Sequence, residues 1–425
     1  MKKYISYLKE KGLRSFIKLS FIHFVTTIVS FPIAVVCVVF SPWRRLRLIR
    51  LFSYRIGHYA LNTELLLCAQ DNKLFYDTKK YHTFYFTFPG EPICNIQLHR
   101  MWKRTITIFP CSYLWSQVDK FLKIIYGKEY KNDPWKNEFE PSDGARDRWF
   151  YLENNLPHLS FTKDEVKNAK VLLSQLGIKE NTPFVCLLGR DSGYLKSYLP
   201  NTDWSYHDYR DVKIDSYYQA VEYLANKGYT VLRMGKYSSD ELKLNHSNVI
   251  DYAHHPLRSD FLDIYLSANC AFFISVRSGI DAIAQIFRRP LILVNFPLCD
   301  YRALYYLNLF IPKKVIDLKS RNLISFKEMC WSVHRPSIKK MLDEKKWGFI
   351  DNTPDEIMDA LKEMLGRLEK TWNEAENSAV LQEKFWQCVP ELGAHDTHNM
   401  RIGDIFLRDH QILLNETPKD SNSYV

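Results

Sequence analysis

Three arginines, Arg190, Arg233 and Arg277, each follow an apolar run that predicts a strand. Arg277 is followed by Ser278 and Gly279 and then by a helical pattern. At such a strand-to-helix turn, backbone N–H groups and a hydroxyl meet a guanidinium at the positive end of a helix, which favours an anion. The simpler interpretation is a turn in which Ser278 only caps its own helix.

Further polar residues follow the same predicted strands. They are Asp191, Ser192, Gly235, Asp251 and Tyr252. Arginines at neighbouring strand ends are costly to bury without anions, so a phosphate or diphosphate is the partner that suits them best. The alternative is a set of structural ion pairs with the acidic residues nearby, which are Asp191, Asp251, Asp263 and Asp281. The glycine and the helix start that accompany Arg277 favour the phosphate site.

His58 is a second candidate for chemistry, in the first half of the chain. It follows Gly57, which permits a turn between a predicted strand at 48–54 and a helical run at 59–69. A histidine can act as a general base near neutral pH, and a helix N-terminus tends to lower its pKa and keep it neutral. A surface or capping histidine is the alternative interpretation.

The elements around the arginines alternate between strand and helix patterns. Strands are predicted at 183–188, 229–235, 248–252, 272–275 and before 295, and helices at 163–176, 217–227, 260–268 and 280–287. This alternation predicts an α/β fold with a parallel, doubly wound sheet and right-handed crossovers. Ligands bind such sheets outside the carboxyl ends of the strands, where the candidate residues lie.

The flanking regions have simpler patterns. Further strands are predicted at 85–88 and 105–109, a long loop at 128–148, and helices from 353 and over 372–386. The polar residues from 416 onward predict a disordered tail.

The N-terminal segment predicts membrane attachment. Twenty residues, 21–40, contain no Asp, Glu, Lys or Arg, and as a helix they would rise about 30 Å, the thickness of a hydrocarbon core. Basic residues flank this run on both sides: Lys2, Lys3, Lys9, Lys11, Arg14 and Lys18 before it, and Arg44, Arg45, Arg47 and Arg50 after it. Two basic flanks and Pro32 in the middle favour a bent, re-entrant or interfacial anchor, a spanning helix being the alternative. A buried core helix is a third interpretation, and anionic lipid should attract the 44–50 cluster.

Composition excludes several classes of protein. The 425 residues carry a net charge of +10, but much of the excess lies in the first 50 residues, and no zinc-finger spacing, RNA-recognition signature or basic run in the body supports nucleic-acid binding. The nine cysteines form no C-x-x-C and fit a reducing compartment. Neither G-x-G-x-x-G nor a P-loop is present, and the absence of D-x-D gives no indication of a metal-held diphosphate.

Several motifs resemble a family of bacterial glycosyltransferases that act in surface-polysaccharide synthesis. The similarity covers roughly 48–330, and its motifs are RIGHYALN at 55–62, GYTVLRMG at 228–235, Asp251-Tyr252, SDFLDIY at 259–265, and Ser275 with Ser278-Gly279. The loop at 188–191 and the later Ser-Gly helix look more distantly like the donor half of fucosyltransferase-type enzymes. The resemblance implies a GT-B fold of two Rossmann-like domains, with a nucleotide-sugar bound by the second and an acceptor facing the first.

This interpretation divides the chain into five parts. We expect a basic, membrane-associated N-terminus (1–45), an acceptor-side domain (46–165), a nucleotide-sugar domain (166–350), C-terminal helices that pack back on the domains (351–415) and the tail (416–425). The acceptor would be a glycan or a lipid-linked molecule. The protein would be located at the cytoplasmic face of the plasma membrane. No cofactor is expected, because the nucleotide-sugar is itself the substrate, and no metal is expected, because the sequence has no D-x-D motif.

The expected roles follow from the same interpretation. Arg190, Arg233 and Arg277 would neutralise the leaving nucleotide phosphate, and the N–H groups of Ser278 and Gly279 would add donors. His58 would be the base if the reaction inverts configuration. The donor-binding set would also include Asp191, Ser192 and Gly235, while Asp251 and Tyr252 would border the nucleotide base. A nucleotide-sugar epimerase or hydrolase of the same fold, or a non-catalytic scaffold that binds glycan or lipid phosphate, are the alternatives.

Overall fold

The computed structural model describes residues 2–43, 45–73, 81–131, 147, 150–190, 210–236, 241–298, 308–331, 338–389 and 400–415. The chain divides into two compact units. Unit 1 comprises Met1–Ala145 with His158–Ser160, and unit 2 comprises Arg146–Pro157 with Phe161–Val425.

Unit 1 is built on a three-stranded parallel sheet in the order β1-β2-β3. The strands are β1 (Arg45–Arg50), β2 (Tyr81–Phe86) and β3 (Ile108–Phe109). The helices are α1 (Lys2–Val39), α2 (Ile56–Asp71), α3 (Ile96–Thr105), α4 (Ser112–Ile125) and α5 (Lys128–Lys131). Because α2 follows β1 directly, the N-terminal end of α2 lies at the carboxyl edge of this sheet.

The first helix, α1, is continuous over 38 residues and passes through Pro32 without ending. Its stretch Ile17–Val39 is long and apolar enough to cross a membrane, judged by length and composition, and little of it is buried inside the protein. One side of α1 packs on α4, where Ala34 joins a small core with Val118 and Leu122. The predicted N-terminal apolar helix is therefore confirmed, whereas the expected bend at Pro32 does not divide it.

Unit 2 contains a seven-stranded sheet in which every neighbouring pair is parallel. The strands are β4 (Phe184–Leu187), β5 (Thr230–Arg233), β6 (Val249–Ile250), β7 (Phe273–Ser275), β8 (Leu291–Phe296), β9 (Asn308–Pro312) and β12 (Arg401–Ile402). A separate antiparallel pair consists of β10 (Lys314–Asp317) and β11 (Trp347–Ile350). Strands β4 and β8 are buried along their whole length, as expected of parallel strands covered on both faces.

The strand order of this sheet is β6-β5-β4-β7-β8-β9-β12. Counted from β4, the first six strands follow the order 3-2-1-4-5-6 of a doubly wound sheet. The chain starts at β4, builds outward through β5 and β6, and then returns to the other side of β4 with β7. The order reverses between β4 and β7, so the carboxyl ends of these two strands form the topological switch point.

The helices of unit 2 connect and cover the strands. They are α6 (Tyr151–Asn154), α7 (Lys163–Gln175), α8 (Tyr218–Asn226), α9 (Asp260–Asn269), α10 (Asp281–Ile286), α11 (Phe326–Trp331), α12 (Ile338–Lys345), α13 (Pro354–Leu368), α14 (Ser378–Gln387) and α15 (Asp404–Asp409). A capping box starts α13: the Glu356 N–H donates to Thr353 Oγ1 at 3.2 Å, and the Thr353 N–H donates to Glu356 Oε2 at 2.9 Å.

The predicted α/β character with parallel sheets is confirmed, and the differences concern element boundaries. The first strand was expected to reach residue 54 but ends at Arg50, where its pairing with Phe86 ends. Residues up to Thr105 belong to α3, because Asn95 caps this helix and Trp102 anchors it in the core. The expected helix over 372–386 begins only at Ser378. The start of the expected loop at 128–148 is helical, and most of that loop and the tail from 416 lie outside the described residues.

Candidate functional site

The switch point of the seven-stranded sheet is flanked by two of the three predicted arginines. Arg190 follows β4 after Leu188 and Gly189, and Arg277 lies in the loop after β7. Both side chains are half-buried rather than sealed in the core. The strand order therefore explains why residues 87 positions apart in the sequence follow neighbouring strands, and it places both arginines at the edge where doubly wound sheets bind ligands.

The loop that carries Arg277 is tightly organised. Arg277 adopts a left-handed backbone with φ of +62°, and its guanidinium lies 5.6 Å from the centre of the Phe296 ring at the end of β8. Asp281, the first residue of α10, accepts hydrogen bonds from the Ser275 hydroxyl and the Ser278 N–H, both at 2.6 Å. Burial raises the pKa of the Asp281 carboxyl above its ordinary value, against these hydrogen bonds and the nearby Arg277 charge.

This carboxylate changes the expected role of the loop. The N–H of Ser278 was predicted as a donor to a ligand, but in this structure it donates to Asp281. The anion at the start of α10 is thus supplied by the chain itself, and Asp281 fixes the shape of the loop. Arg277 and Gly279 lie in the same loop and are half-buried.

Arg233 is placed differently from the other two arginines. It is 1% exposed, and its Nη1 lies 3.3 Å from Asp251 Oδ1. The other carboxylate oxygen of Asp251 accepts from the Leu242 N–H at 2.9 Å and lies 2.8 Å from His254 Nδ1. The ion-pair interpretation therefore describes Arg233, which links the ends of β5 and β6 from inside the protein.

Tyr252 is also part of the interior. It has no exposed surface, and its hydroxyl donates to Asp263 Oδ1 at 2.9 Å. Arg258 Nη1 lies 2.7 Å from the other oxygen of Asp263. Burial raises the pKa of Asp263 to about 6, although Arg258 and the Tyr252 hydroxyl oppose the shift. In this conformation Tyr252 braces the loop after β6 and does not line an accessible surface.

The remaining predicted residues of unit 2 are placed in part. Arg190 Nε lies 3.8 Å from Asp211 Oδ1, and its backbone carbonyl accepts from the Val212 N–H at 3.0 Å. Gly235 follows Met234, whose N–H donates to Leu187 O at 2.7 Å, and so lies at the same edge of the sheet. Asp191 and Ser192 lie outside the described residues.

His58 lies in the first turn of α2, at the carboxyl edge of the sheet of unit 1. Its Nδ1 is 3.2 Å from Asn62 Oδ1, one helical turn further along. Burial lowers the pKa of His58, and the nearby Arg55 charge lowers it further, against the hydrogen bond that the ring donates to Asn62. With Asn62 Oδ1 as the acceptor, Nδ1 carries the proton and Nε2 keeps its lone pair.

Aromatic side chains lie beside this histidine. The Phe52 ring lies 6.3 Å from the His58 ring and 5.7 Å from the Phe88 ring, and Arg50 lies over Phe88 at 4.8 Å. The loops after β1 and β2 are tied together, because the Phe88 N–H donates to Ser53 Oγ at 3.0 Å. A neutral imidazole in this setting has the properties of a general base.

Two important residues were missed by the sequence analysis. Asn62 was quoted in a motif but given no role, although its spacing of four from His58 on a helical run could have indicated the contact. Asp281 was considered only as an ion-pair partner, although an acidic residue three positions after Ser278 is a typical helix-start pattern.

A possible metal-binding group occurs in unit 1, away from the carboxyl edge. Ligand atoms of Glu64, Cys68 and His158 lie within 4.8 Å of one another, a set of types that zinc accepts. His158 lies 3.2 Å from Glu64 and 3.0 Å from Asp71 through its two ring nitrogens. Burial alone would lower the pKa of His158, but the two carboxylates raise it overall. A protonated histidine between carboxylates accounts for the same arrangement without an ion.

Two cavities lie elsewhere. One of about 450 Å³ is lined by Arg47, Asp71 and His158, among others, at the opposite end of α2 from His58. Another of about 650 Å³ lies beside α14, with Lys384 and Cys388 in its wall. Neither includes a predicted site residue.

The chain matches no protein-family model and no curated protein sequence. Among solved structures, it is similar to the ADP-heptose lipopolysaccharide heptosyltransferase II of E. coli, at 14% identity and a TM-score of 0.38, over 76% of this chain and 99% of that one. A family 9 glycosyl transferase from Veillonella parvula gives 11% identity, a TM-score of 0.41, and coverage of 76% and 98%. The chain is also similar to the E. coli heptosyltransferase WaaC with ADP, at 15% identity and a TM-score of 0.28, over 59% of this chain and 86% of that one. At these identities and TM-scores, the likeness assigns no activity to the chain.

Proposed function

We propose that this protein is a glycosyltransferase that moves a sugar from a nucleotide-sugar to the hydroxyl group of a glycan or a lipid-linked acceptor. In this proposal the chain has the GT-B type of organisation, in which unit 2 binds the donor and unit 1 carries the base. The reaction would serve the synthesis of a bacterial surface polysaccharide, at the cytoplasmic face of the plasma membrane.

The observation that carries the proposal is the position of Arg190 and Arg277 at the switch point of a doubly wound sheet. The edge at this point is where such sheets bind ligands with phosphate groups. Two half-buried guanidinium groups at neighbouring strand ends suit a diphosphate, since each can form two parallel hydrogen bonds with phosphate oxygens. The short loop held by Asp281 keeps Arg277 in position.

The proposed step needs charge neutralisation and proton removal. The acceptor hydroxyl oxygen forms a bond to the anomeric carbon while the bond from that carbon to the phosphate oxygen breaks. The electron pair of the broken bond stays on the phosphate, where Arg190 and Arg277 offset its charge without a metal ion. The hydroxyl proton passes to His58 Nε2. The lone pair of this atom is available because the ring proton is on Nδ1, which donates a hydrogen bond to Asn62 Oδ1. This assignment of the base holds for an inverting reaction.

The other predicted residues take supporting roles. Arg233 and Asp251 form a buried pair that links two strand ends, and Tyr252 braces the adjoining loop. We therefore propose that these three residues hold the loops of the donor site in position from the protein interior and do not contact the nucleotide. Asp191, Ser192, Gly235, Ser278 and Gly279 stay candidates for donor contacts.

Nucleotide binding is the test of this proposal. The full chain is melted with UDP, GDP, CMP, dTDP or ADP, the last because it is named with a similar structure. At least one nucleotide should raise the melting temperature, since a ligand that binds only the folded state stabilises it. Arg277→Ala should lose this shift and reduce kcat about 10²–10³-fold, the usual effect of removing one fixed donor to developing charge. Arg408→Ala, an exposed arginine on α15, is the matched control.

The alternatives give different results in the same experiment. If no nucleotide or nucleotide-sugar shifts the melting temperature, the scaffold interpretation replaces the enzyme. Donor turnover that proceeds without added acceptor would instead indicate a hydrolase or epimerase. Full activity of Arg277→Ala would remove this arginine from the site.

A further inference from the structure

The outward side of α1 is unlike that of a helix on a water-soluble protein. The side that packs against α4 combines polar and small residues such as His23, Ser30 and Ala34 with apolar ones such as Ile33 and Val38. Ser30 and Ala34 have no exposed surface. The outward side is apolar: Phe21 and Phe24 are each 65% exposed. In water, a helix places its apolar stripe against the protein and its polar residues outside.

The outward apolar surface is large and continuous. Its exposed members include Ile17, Phe21, Phe24, Ile28, Val36 and Trp43, with Ile124 from the end of α4. A contiguous apolar surface of this length marks a contact with a membrane or another protein.

The contacts with α4 follow the same stretch of α1 that is apolar enough to span. His23 Nδ1 lies 3.0 Å from Gln117 Nε2, the Phe31 and Phe121 rings lie 5.6 Å apart, and Ala34 meets Leu122 in the small core. If α1 crossed the bilayer, α4 would have to enter the hydrocarbon beside it.

The charges of α4 argue against that entry. Lys120 is exposed, and Lys123 forms an ion pair with Asp119 at 2.9 Å. Ionised side chains in the hydrocarbon core are costly and rare. A helix that lies along the membrane surface avoids this cost, because the charges of α4 then stay at the level of the headgroups.

We propose that α1 lies in the plane of an anionic bilayer, with its outward apolar side among the acyl chains and without crossing the membrane. Arg14 and Lys18, which are exposed on α1, and the exposed Lys120 of the adjacent α4 supply positive charge for anionic headgroups. Trp43 at the end of the apolar surface suits the interface between lipid and water. The inference does not depend on the sugar-transfer proposal.

Flotation with preformed vesicles tests the apolar face. The purified full chain is mixed with vesicles of phosphatidylcholine alone or with about one third phosphatidylglycerol, at low and high salt. Wild-type protein should float with both and more completely with the anionic vesicles. The double substitution Phe24→Asp with Ile28→Asp should reduce the bound fraction at least tenfold. Val171→Asp changes an exposed valine on α7 of unit 2 and should bind like wild type, and Phe24→Leu with Ile28→Val should also keep binding.

Protease access tests the orientation. An epitope at the N-terminus and another at the C-terminus should both stay cleavable from outside after the protein binds preformed vesicles. Protection of the N-terminal epitope would overturn the proposal in favour of a spanning helix. Undiminished flotation of the double aspartate variant would also overturn the proposal. So would wild-type protein that does not bind vesicles and instead forms a dimer through this face. Circular dichroism of each variant shows whether it is folded, and the leucine and valine variant keeps the test valid if the aspartate variant unfolds.

Discussion

At the scale of single residues, the hydrogen bond between His58 and Asn62 makes the chemistry of the candidate base specific. Asn62 Oδ1 accepts from Nδ1, which leaves Nε2 as the basic atom. The pKa of His58 is lowered, first by burial, so the neutral form predominates from below its ordinary value of 6.5 upward. Activity should therefore fall only at pH values below that range, as the imidazole becomes protonated.

Substitutions at these two positions test the assignment. We expect His58→Ala to lower kcat about 10²–10⁴-fold, the contribution of a positioned base. Asn62→Asp should shift the acid limb of the pH–rate profile to higher pH, because a carboxylate stabilises the imidazolium. His82→Ala, an exposed histidine on β2, serves as the control. An unmoved acid limb in Asn62→Asp would exclude His58 as the titrating group, provided that the melting temperature shows an intact fold.

Residue types and spacing indicated the arginines and the histidine but not their surroundings. The pairing of Arg233 with Asp251 depends on two strands that are neighbours only because the chain returns beside β5. The sequence shows both partners and leaves open whether they meet each other or a ligand. Burial, which separates Arg233 from Arg190 and Arg277, is set by the layers on both faces of the sheet and cannot be read from local pattern.

At the scale of elements, the start of α13 shows how a local signal becomes a contact with distant residues. Thr353, Pro354 and Glu356 are a helix-start pattern visible in the sequence. In the structure Glu356 is also paired with Lys314 of β10 and lies 3.2 Å from His410 Nε2. Burial alone would raise the pKa of Glu356, but its hydrogen bonds with His410, Lys314 and Thr353 lower it to about 2.

This pKa gives a pH-dependent stability. The ordinary pKa of the group is 4.5, so the folded state binds the proton less readily than the unfolded state does. The stabilisation is complete above about pH 4.5 and is lost as the pH falls toward 2. Melting temperatures of wild type and Glu356→Gln should therefore differ most near neutral pH and converge in acid. Glu344→Gln, on an exposed ion pair of α12, should show little difference at any pH.

Elements themselves were predicted well where the pattern was long or strongly apolar. The helices at 163–176 and 260–268 and the central strands agree with α7, α9 and the buried strands to within a few residues. Short strands such as β3 and β6 were overextended, because pairing with a neighbour and not propensity determines where a strand ends. The order in which the strands pair is a property of the complete sheet, so the switch point between β4 and β7 had to be observed.

At the scale of the whole molecule, the N-terminal helix α1 has two roles: one side is an exposed apolar surface, and the other side is part of the core of unit 1. Ala34 of α1 shares a core with Val118 and Leu122 of α4 and with Leu48 and Phe86 of the unit 1 sheet. The sequence predicted an apolar helix of the right length. It did not show that the side of this helix with His23 and Ala34 packs on a globular unit, because the helix that it contacts, α4, is distant in the sequence.

A chain shortened to begin at residue 44 would therefore not yield an intact soluble protein. It would lose one wall of the unit 1 core and uncover Val118 and Leu122 on α4. We expect amide protons of α4 to exchange with deuterium much faster in the shortened chain, while those of β4 in unit 2 keep their protection. Unchanged exchange in α4 would show that α1 contributes nothing to the folding of unit 1. Cleavage by a protease near residue 44 would accordingly lead to degradation of the released portion rather than leave a stable, shorter protein.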